Sequence, residues 1–301
     1  MDAWIYLTLA AGLALTLRFM LQKVLAGGRL SAAGATFARF VYSAPLVALV
    51  AFTYSQATAQ VRPGLSVEFW AYAMVGGVSQ ILATILVVLL FSHRNFAVGI
   101  TFKKTEVLLS VIVSALVLGE GVSAPGLVAI LMGLVGVILL SDPPGGGPGT
   151  WLRRIANRPA GLGLASGLFF AISGVGYRGA SLSLSSGDAF QRAIVTLAFV
   201  TAFQTIVLGT WLLLRRPGEI GRVFRSWRVS SLVGLTSMAG STCLFTAFTL
   251  QKVGYVNAVG QVELIFSLLA SALVFRETIS RRELLGVGIL GLSIVMLVLV
   301  T

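Results

Sequence analysis

The sequence predicts an all-α integral membrane protein: ten transmembrane helices, arranged as two five-helix inverted repeats around a central cavity. Three observations carry that prediction. The 301 residues are 57% hydrophobic and only 11% charged, with mean hydropathy +0.95, whereas soluble domains carry about 25% charged residues. Apolar runs of about 17–25 residues alternate with short polar breaks, which suits helices crossing a bilayer and not the roughly 10-residue alternation of barrel strands. Finally, one polar pattern occurs twice. Glu106, Ser110 and Ser114 recur as Glu263, Ser267 and Ser271, an offset of 157 residues that is about half the chain. A spacing of i, i+4, i+8 puts each set on one stripe of a helix. A carboxylate inside an apolar span is costly, so a duplicated one suggests a polar interior.

The expected spans follow in order. The first, approximately 4–24, begins Met1-Asp2-Ala3-Trp4 without a basic leader region or a small-residue cleavage site, so it is expected to be retained. The second, approximately 32–54, carries Phe37 and Arg39, and the third, approximately 69–90, carries Gly76, Gly77, Ser79, Gln80 and Thr84. The fourth, approximately 97–118, holds Lys103, Lys104 and Glu106, and the fifth, approximately 123–140, holds Gly133 and Gly136. Pro143 to Gly149 is a Pro/Gly linker, and Trp151 to Arg158 reads as a basic interfacial segment. The second five are approximately 161–179, 189–213, 230–250, 254–275 and 283–300. Phe190 and Arg192 echo Phe37 and Arg39, and Glu277 echoes Glu120 at the same offset of 157. The expected units are therefore 1–142, a connecting 143–160, and 161–301. Five spans per unit is an odd number, so the second unit must insert upside down relative to the first.

Charge distribution sets the expected orientation. Lys23, Arg94, Arg153, Arg154, Arg215, Arg216, Arg222, Arg225, Arg281 and Arg282 share one side, against Arg62, Lys252 and Arg178 on the other. The basic side should face the cytoplasm, leaving both termini periplasmic in a bacterial inner membrane. Topology thus accounts for the net charge of +12, and no nucleic-acid partner is expected. Lone Cys243 and lone His93 offer neither an internal disulfide nor a metal cluster. Gly286, Gly288 and Gly291 spell a dinucleotide fingerprint, but no strand precedes them and they lie in a lipid-length run. With Gly133 and Gly136 they are expected to let the fifth and tenth spans approach closely, within the protein or at a homodimer seam. No cofactor, ATP motif or hydrolase set is found, so the chain is not expected to be an enzyme.

The candidate site gathers the charges that span interiors should exclude. Lys103 and Glu106 are i, i+3 and can pair; the lysines could instead snorkel to the interface. In the ninth span Asn257 and Gln261 share a face, while in a continuous helix Glu263 points away from Gln261. Gln80 adds a polar group from the third span. Lys103 or Lys104 would attract a substrate carboxylate, and Glu106, Glu263, Gln261 and Asn257 would accept from an ammonium. Either glutamate could carry a coupling proton, and Gly99 and Gly260 are candidate soft points. Arg39 and Arg192 are expected to snorkel.

The paired stretches ending Leu118-Gly119-Glu120 and Phe275-Arg276-Glu277, each followed by a short turn and a glycine-bearing span, resemble the drug/metabolite transporter superfamily in its EamA-like branch. In that family each half has a glutamate within this helix and another at its end; Glu106 and Glu263 match the first, Glu120 and Glu277 the second. The family often has proline after the first glutamate, where this chain has Val107 and Leu264, so a proline kink does not carry over. Size and layout look most like the YddG-type amino-acid exporters. The resemblance implies export of amino acids, aromatic and other neutral ones; two inverted halves would work by alternating access, and facilitation without ion coupling stands beside proton coupling. Other solutes (nucleobase, sugar, polyamine or drug), proton coupling, and a membrane enzyme or structural bundle are the alternatives.

Overall fold

The structure, a computed structural model, describes residues 2–27, 30–58, 60, 63–90, 103–141, 158–275 and 281–301. Among these it is entirely helical. The helices are α1 (Ala3–Ala26), α2 (Ala32–Ala57), α3 (Val67–Leu90), α4 (Glu106–Leu118), α5 (Ala124–Ser141) and α6 (Arg158–Leu182). Then come α7 (Ala189–Arg215), α8 (Glu219–Arg225), α9 (Trp227–Leu250), α10 (Val253–Gly260), α11 (Val262–Phe275) and α12 (Arg281–Val300). Helices α1, α2, α3, α6, α7 and α9 are long and apolar enough to cross a membrane. Exposed Ile206, Leu214, Leu284 and Leu299 face outward while serines, glutamines and arginines are buried. That is the distribution a lipid solvent requires. The linker 143–149, the basic segment 151–157, Gly99 and Glu277 lie outside the described residues.

Two expected spans are not continuous. Residues 104–105 form a turn ahead of α4, and Gln261 separates α10 from α11. Both interruptions fall directly before the duplicated glutamates. They are closed by three-residue turns, Val107 N–H to Lys104 C=O at 3.4 Å and Leu264 N–H to Gln261 C=O at 3.0 Å. Such tightened turns interrupt a helix without proline. Gly260 is the last residue of α10. Each break is seated on a glycine of another helix. A Cβ on Gly167 of α6 would lie 2.8 Å from the Lys103 carbonyl, and one on Gly12 of α1 would lie 3.0 Å from Val262.

Helix contacts elsewhere also run through small residues. Helices α3 and α6 touch backbone to backbone, since a Cβ on Gly176 would meet Gly76 Cα at 2.9 Å. Helices α5 and α12 pack through Gly136, whose added Cβ would meet Leu290 N at 2.8 Å and Gly286 O at 3.0 Å, and Ser293 donates to Ala129 O at 2.7 Å. Gly288 and Gly291 face open space, so only the first glycine of the false fingerprint serves that contact.

Helix α8 was not anticipated from the sequence, where its arginines read as a basic loop. Its Glu219 is fully buried and pairs with Arg222. It accepts from Ser31 N–H at 2.7 Å, while the Ser31 hydroxyl accepts from Gly34 N–H at 3.1 Å. Two orphan donors at the start of α2 are thus satisfied, and a carboxylate sits where the helix dipole favours it.

At the other end of α2, Asp188 caps α7 by accepting from Gln191 N–H at 2.7 Å, from Tyr54 at 2.7 Å and from Gln60 at 2.7 Å. Partial burial pushes its carboxyl pKa upward, but the Gln191 amide, Gln60 and Tyr54 together hold it below the ordinary value. A depressed folded-state pKa contributes stability that is complete above the unfolded value, about 3.9, and disappears as pH falls through the folded one. Asp188→Ala is therefore expected to cost about 1 kcal/mol at neutral pH. In thermal unfolding of detergent-solubilised protein, the gap to wild type should shrink as the pH falls below about 4. A gap independent of pH would remove the ionised cap.

Candidate functional site

The two helix breaks meet at one cavity, which encloses about 600 Å³ including some open solvent. Lys103, Lys104 and Glu106 reach it from the first break and Asn257, Gly260, Gln261 and Glu263 from the second. Gln80 of α3, Arg39 of α2, Phe170 of α6, Ser241 of α9, and Arg18 and Phe19 of α1 complete most of the wall. The breaks explain the convergence. At the breaks the backbone tightens from α-helical to three-residue turns, and Gln261 and Glu263 both line the cavity although a continuous α-helix would point them apart.

The lysines do not snorkel. They are 8% and 2% exposed and turn inward. Lys103 Nζ lies 3.2 Å from Glu106 Oε2 and 3.7 Å from Glu263 Oε1, and Lys104 pairs directly with Glu263. Two ammonium groups and two carboxylates thus form one cluster spanning both breaks. Each glutamate also occupies the first turn of a short helix, a favourable place for negative charge. The Lys103 ammonium lies 4.9 Å from the Phe170 ring centre and 5.8 Å from that of Phe19, within reach of cation–π attraction.

Arg39 departs from its expectation. It is 3% exposed and points into the bundle, donating to Ser237 Oγ at 2.8 Å, Thr84 Oγ1 at 3.2 Å and Ser241 Oγ at 3.3 Å. Helix α2 packs on both α3 and α9, so hydroxyls reach the guanidinium where lipid was expected. Arg18 escaped the sequence reading altogether. It is 2% exposed, lies 4.1 Å over the Phe19 ring, and its Nε has no hydrogen-bond partner among the described residues. The available signal was an arginine deep inside the otherwise apolar first span.

Gln80 is held by neighbours that were also missed. Its Oε1 accepts from Tyr177 O–H at 2.9 Å and from Gln204 Nε2 at 3.0 Å. Tyr177 in turn stacks on Phe245, centroids 4.2 Å apart. Asn257 Nδ2 and Gln261 Oε1 are buried without partners among the described residues, leaving hydrogen-bonding capacity unspent there.

A second charged cluster lies at the far end of α4, about 20 Å away by helical rise. Arg178 forks onto Glu120 at 2.6 Å and 2.6 Å and donates to the carbonyls of Phe248 at 2.5 Å and Gln251 at 2.9 Å. Lys252 donates to Gly121 O at 2.7 Å, and the Tyr255 hydroxyl oxygen accepts from Ser123 N–H at 2.8 Å. These bonds tie the α4–α5 turn to α6 and to the α9–α10 turn. Arg178, expected among the charges of the outer loops, is instead 8% exposed and paired.

An all-helical chain with lipid-length apolar helices and charges gathered inside defines a multi-pass membrane protein built around a polar site. Residues 158–299 match the EamA-like transporter family. That match covers the second half of the chain, and the family it names is one of membrane transporters. A solved crystal structure superimposes with TM-score 0.73 over 100% of this chain and 99% of its own length at 13% identity, a likeness of fold alone. No curated protein matches the chain.

Proposed function

We propose that the chain is an inner-membrane exporter of small carboxylate-bearing metabolites, amino acids foremost, working by alternating access between two inverted five-helix halves. The observation that carries this reading is the junction of two broken helices, each bearing a glutamate, at one mixed-charge cavity. Discontinuous helices meeting near the midplane are the arrangement by which repeat-built transporters bind solutes. The shared offset of the breaks, and the seating of each on a glycine of the other half, support the two-fold relation. The asymmetry of lysines in one break and amides in the other falls at the cavity, where selectivity belongs.

Substrate binding has to work against a cluster that is already paired. A carboxylate competes for Lys103 or Lys104 with Glu106 and Glu263, and an ammonium competes for the glutamates with the lysines. The amides of Asn257 and Gln261 can bind first at no such cost. Opening and closing of the Glu120–Arg178 cluster would then govern access from the opposite end of α4. Counterflow of a labelled amino-acid panel in proteoliposomes tests the assignment. Saturable exchange of at least one member is expected, with the same rate whether or not a pH gradient is imposed. Exchange by no member removes the substrate class, and dependence on the gradient replaces facilitation with proton coupling.

A further inference from the structure

The cavity carries more positive than negative charge, and the surplus lies on the residues the sequence hid. Among the described residues, four cationic side chains, Arg18, Arg39, Lys103 and Lys104, face two carboxylates, Glu106 and Glu263. The lysines and glutamates match one another within 4.0 Å, and among the described residues neither arginine has a carboxylate at that distance. Among the described residues, the hydrogen bonds of Arg39 go to three neutral hydroxyls, and the Nε of Arg18 has no partner. A buried guanidinium without a counter-charge is costly, and its planar fork suits a carboxylate better than any neutral partner.

Resting on the transport reading above, we propose that the preferred substrate is a net anion, its carboxylate held by Arg18 and Arg39, and that the lysine–glutamate cluster is spent on joining the two breaks. Phe19 and Phe170 on the same wall would take an apolar or aromatic body. The ammonium of a zwitterion brings a further positive charge into a cavity that already has two in excess. Within the amino-acid class this favours acidic members, and derivatives whose amino group is replaced or acylated, over the aromatic and neutral amino acids themselves.

Three compounds of one skeleton decide it: 3-phenyllactate (anion), phenylalanine (zwitterion) and 2-phenylethylamine (cation), compared in counterflow with wild-type protein in liposomes. Phenyllactate is expected to exchange about 10-fold more efficiently than phenylalanine, the equivalent of about 1.4 kcal/mol. Arg18→Gln should raise the KM for phenyllactate by about the same factor while leaving maximal exchange nearer to wild type. Equal or faster exchange of phenylalanine overturns the proposal, as does an unchanged KM in Arg18→Gln. Carriage of the amine without either acid overturns it while leaving transport standing. Exchange of none of the three, nor of any acidic amino acid, removes both readings. Because the wild-type comparison needs no variant, failure of Arg18→Gln to fold leaves the test intact.

Discussion

Replacing Lys104 by methionine is expected to destabilise the protein by about 3 kcal/mol or more and to abolish exchange. Lys104 is 2% exposed and pairs with Glu263, whose side chain is 16% exposed. Removing the ammonium leaves the carboxylate in a cavity where water can compensate only in part, and breaking such a pair typically costs about 3–5 kcal/mol. Lys103, 3.7 Å from the same oxygen, takes up some of the lost attraction, which places the cost near the lower end of that range. The partner variant discriminates. Glu263→Gln alone strands Lys104, whereas Lys104→Met combined with Glu263→Gln removes both charges and should recover most of the stability. Thermal unfolding of the four proteins in detergent measures the coupling. Additive losses would show that the pair makes no net contribution across the breaks.

The second large effect concerns Arg178. Arg178→Gln should cost about 3–5 kcal/mol, because among the described residues it leaves the Glu120 carboxylate with only the Ser114 hydroxyl at 3.4 Å and frees three backbone carbonyls as well. Glu120→Gln should be milder, since the guanidinium keeps the Phe248 and Gln251 carbonyls and the amide can still accept from it. Unequal costs in that order are the signature of an arginine that organises a turn as well as a charge. Equal costs would reduce the cluster to a simple ion pair. Detergent melting temperatures read both variants directly.

Much of the architecture was legible before any coordinates. Lipid-length apolar runs gave the long helices to within a few residues, because hydropathy responds to the solvent a helix faces and not to its neighbours. Lys103, Lys104, Glu106, Gln80, Asn257, Gln261 and Glu263 were picked out by the cost of burying polarity in a span, and the structure brings all of them to one cavity. What the sequence left open was whether those spans break, and where. Without proline, the only hints of a break are the soft points Gly99 and Gly260, and the three-residue turns depend on Gly167 and Gly12 of other helices making room.

The arginines mark the same boundary between the two kinds of information. Snorkelling was a fair expectation for Arg39, since a long side chain in an isolated span reaches for the interface. Ser237 and Ser241, nearly two hundred positions away in sequence, changed that outcome by offering hydroxyls inside the bundle. The sequence by itself determined that this protein lives in a membrane, where its long helices run, and that its costly polar residues come in a repeated pattern. Only the tertiary structure decided which charges neutralise one another and which are left over. Pairing depends on distances of a few ångströms between helices, and the surplus on Arg18 and Arg39 exists only once the lysines and glutamates have found each other.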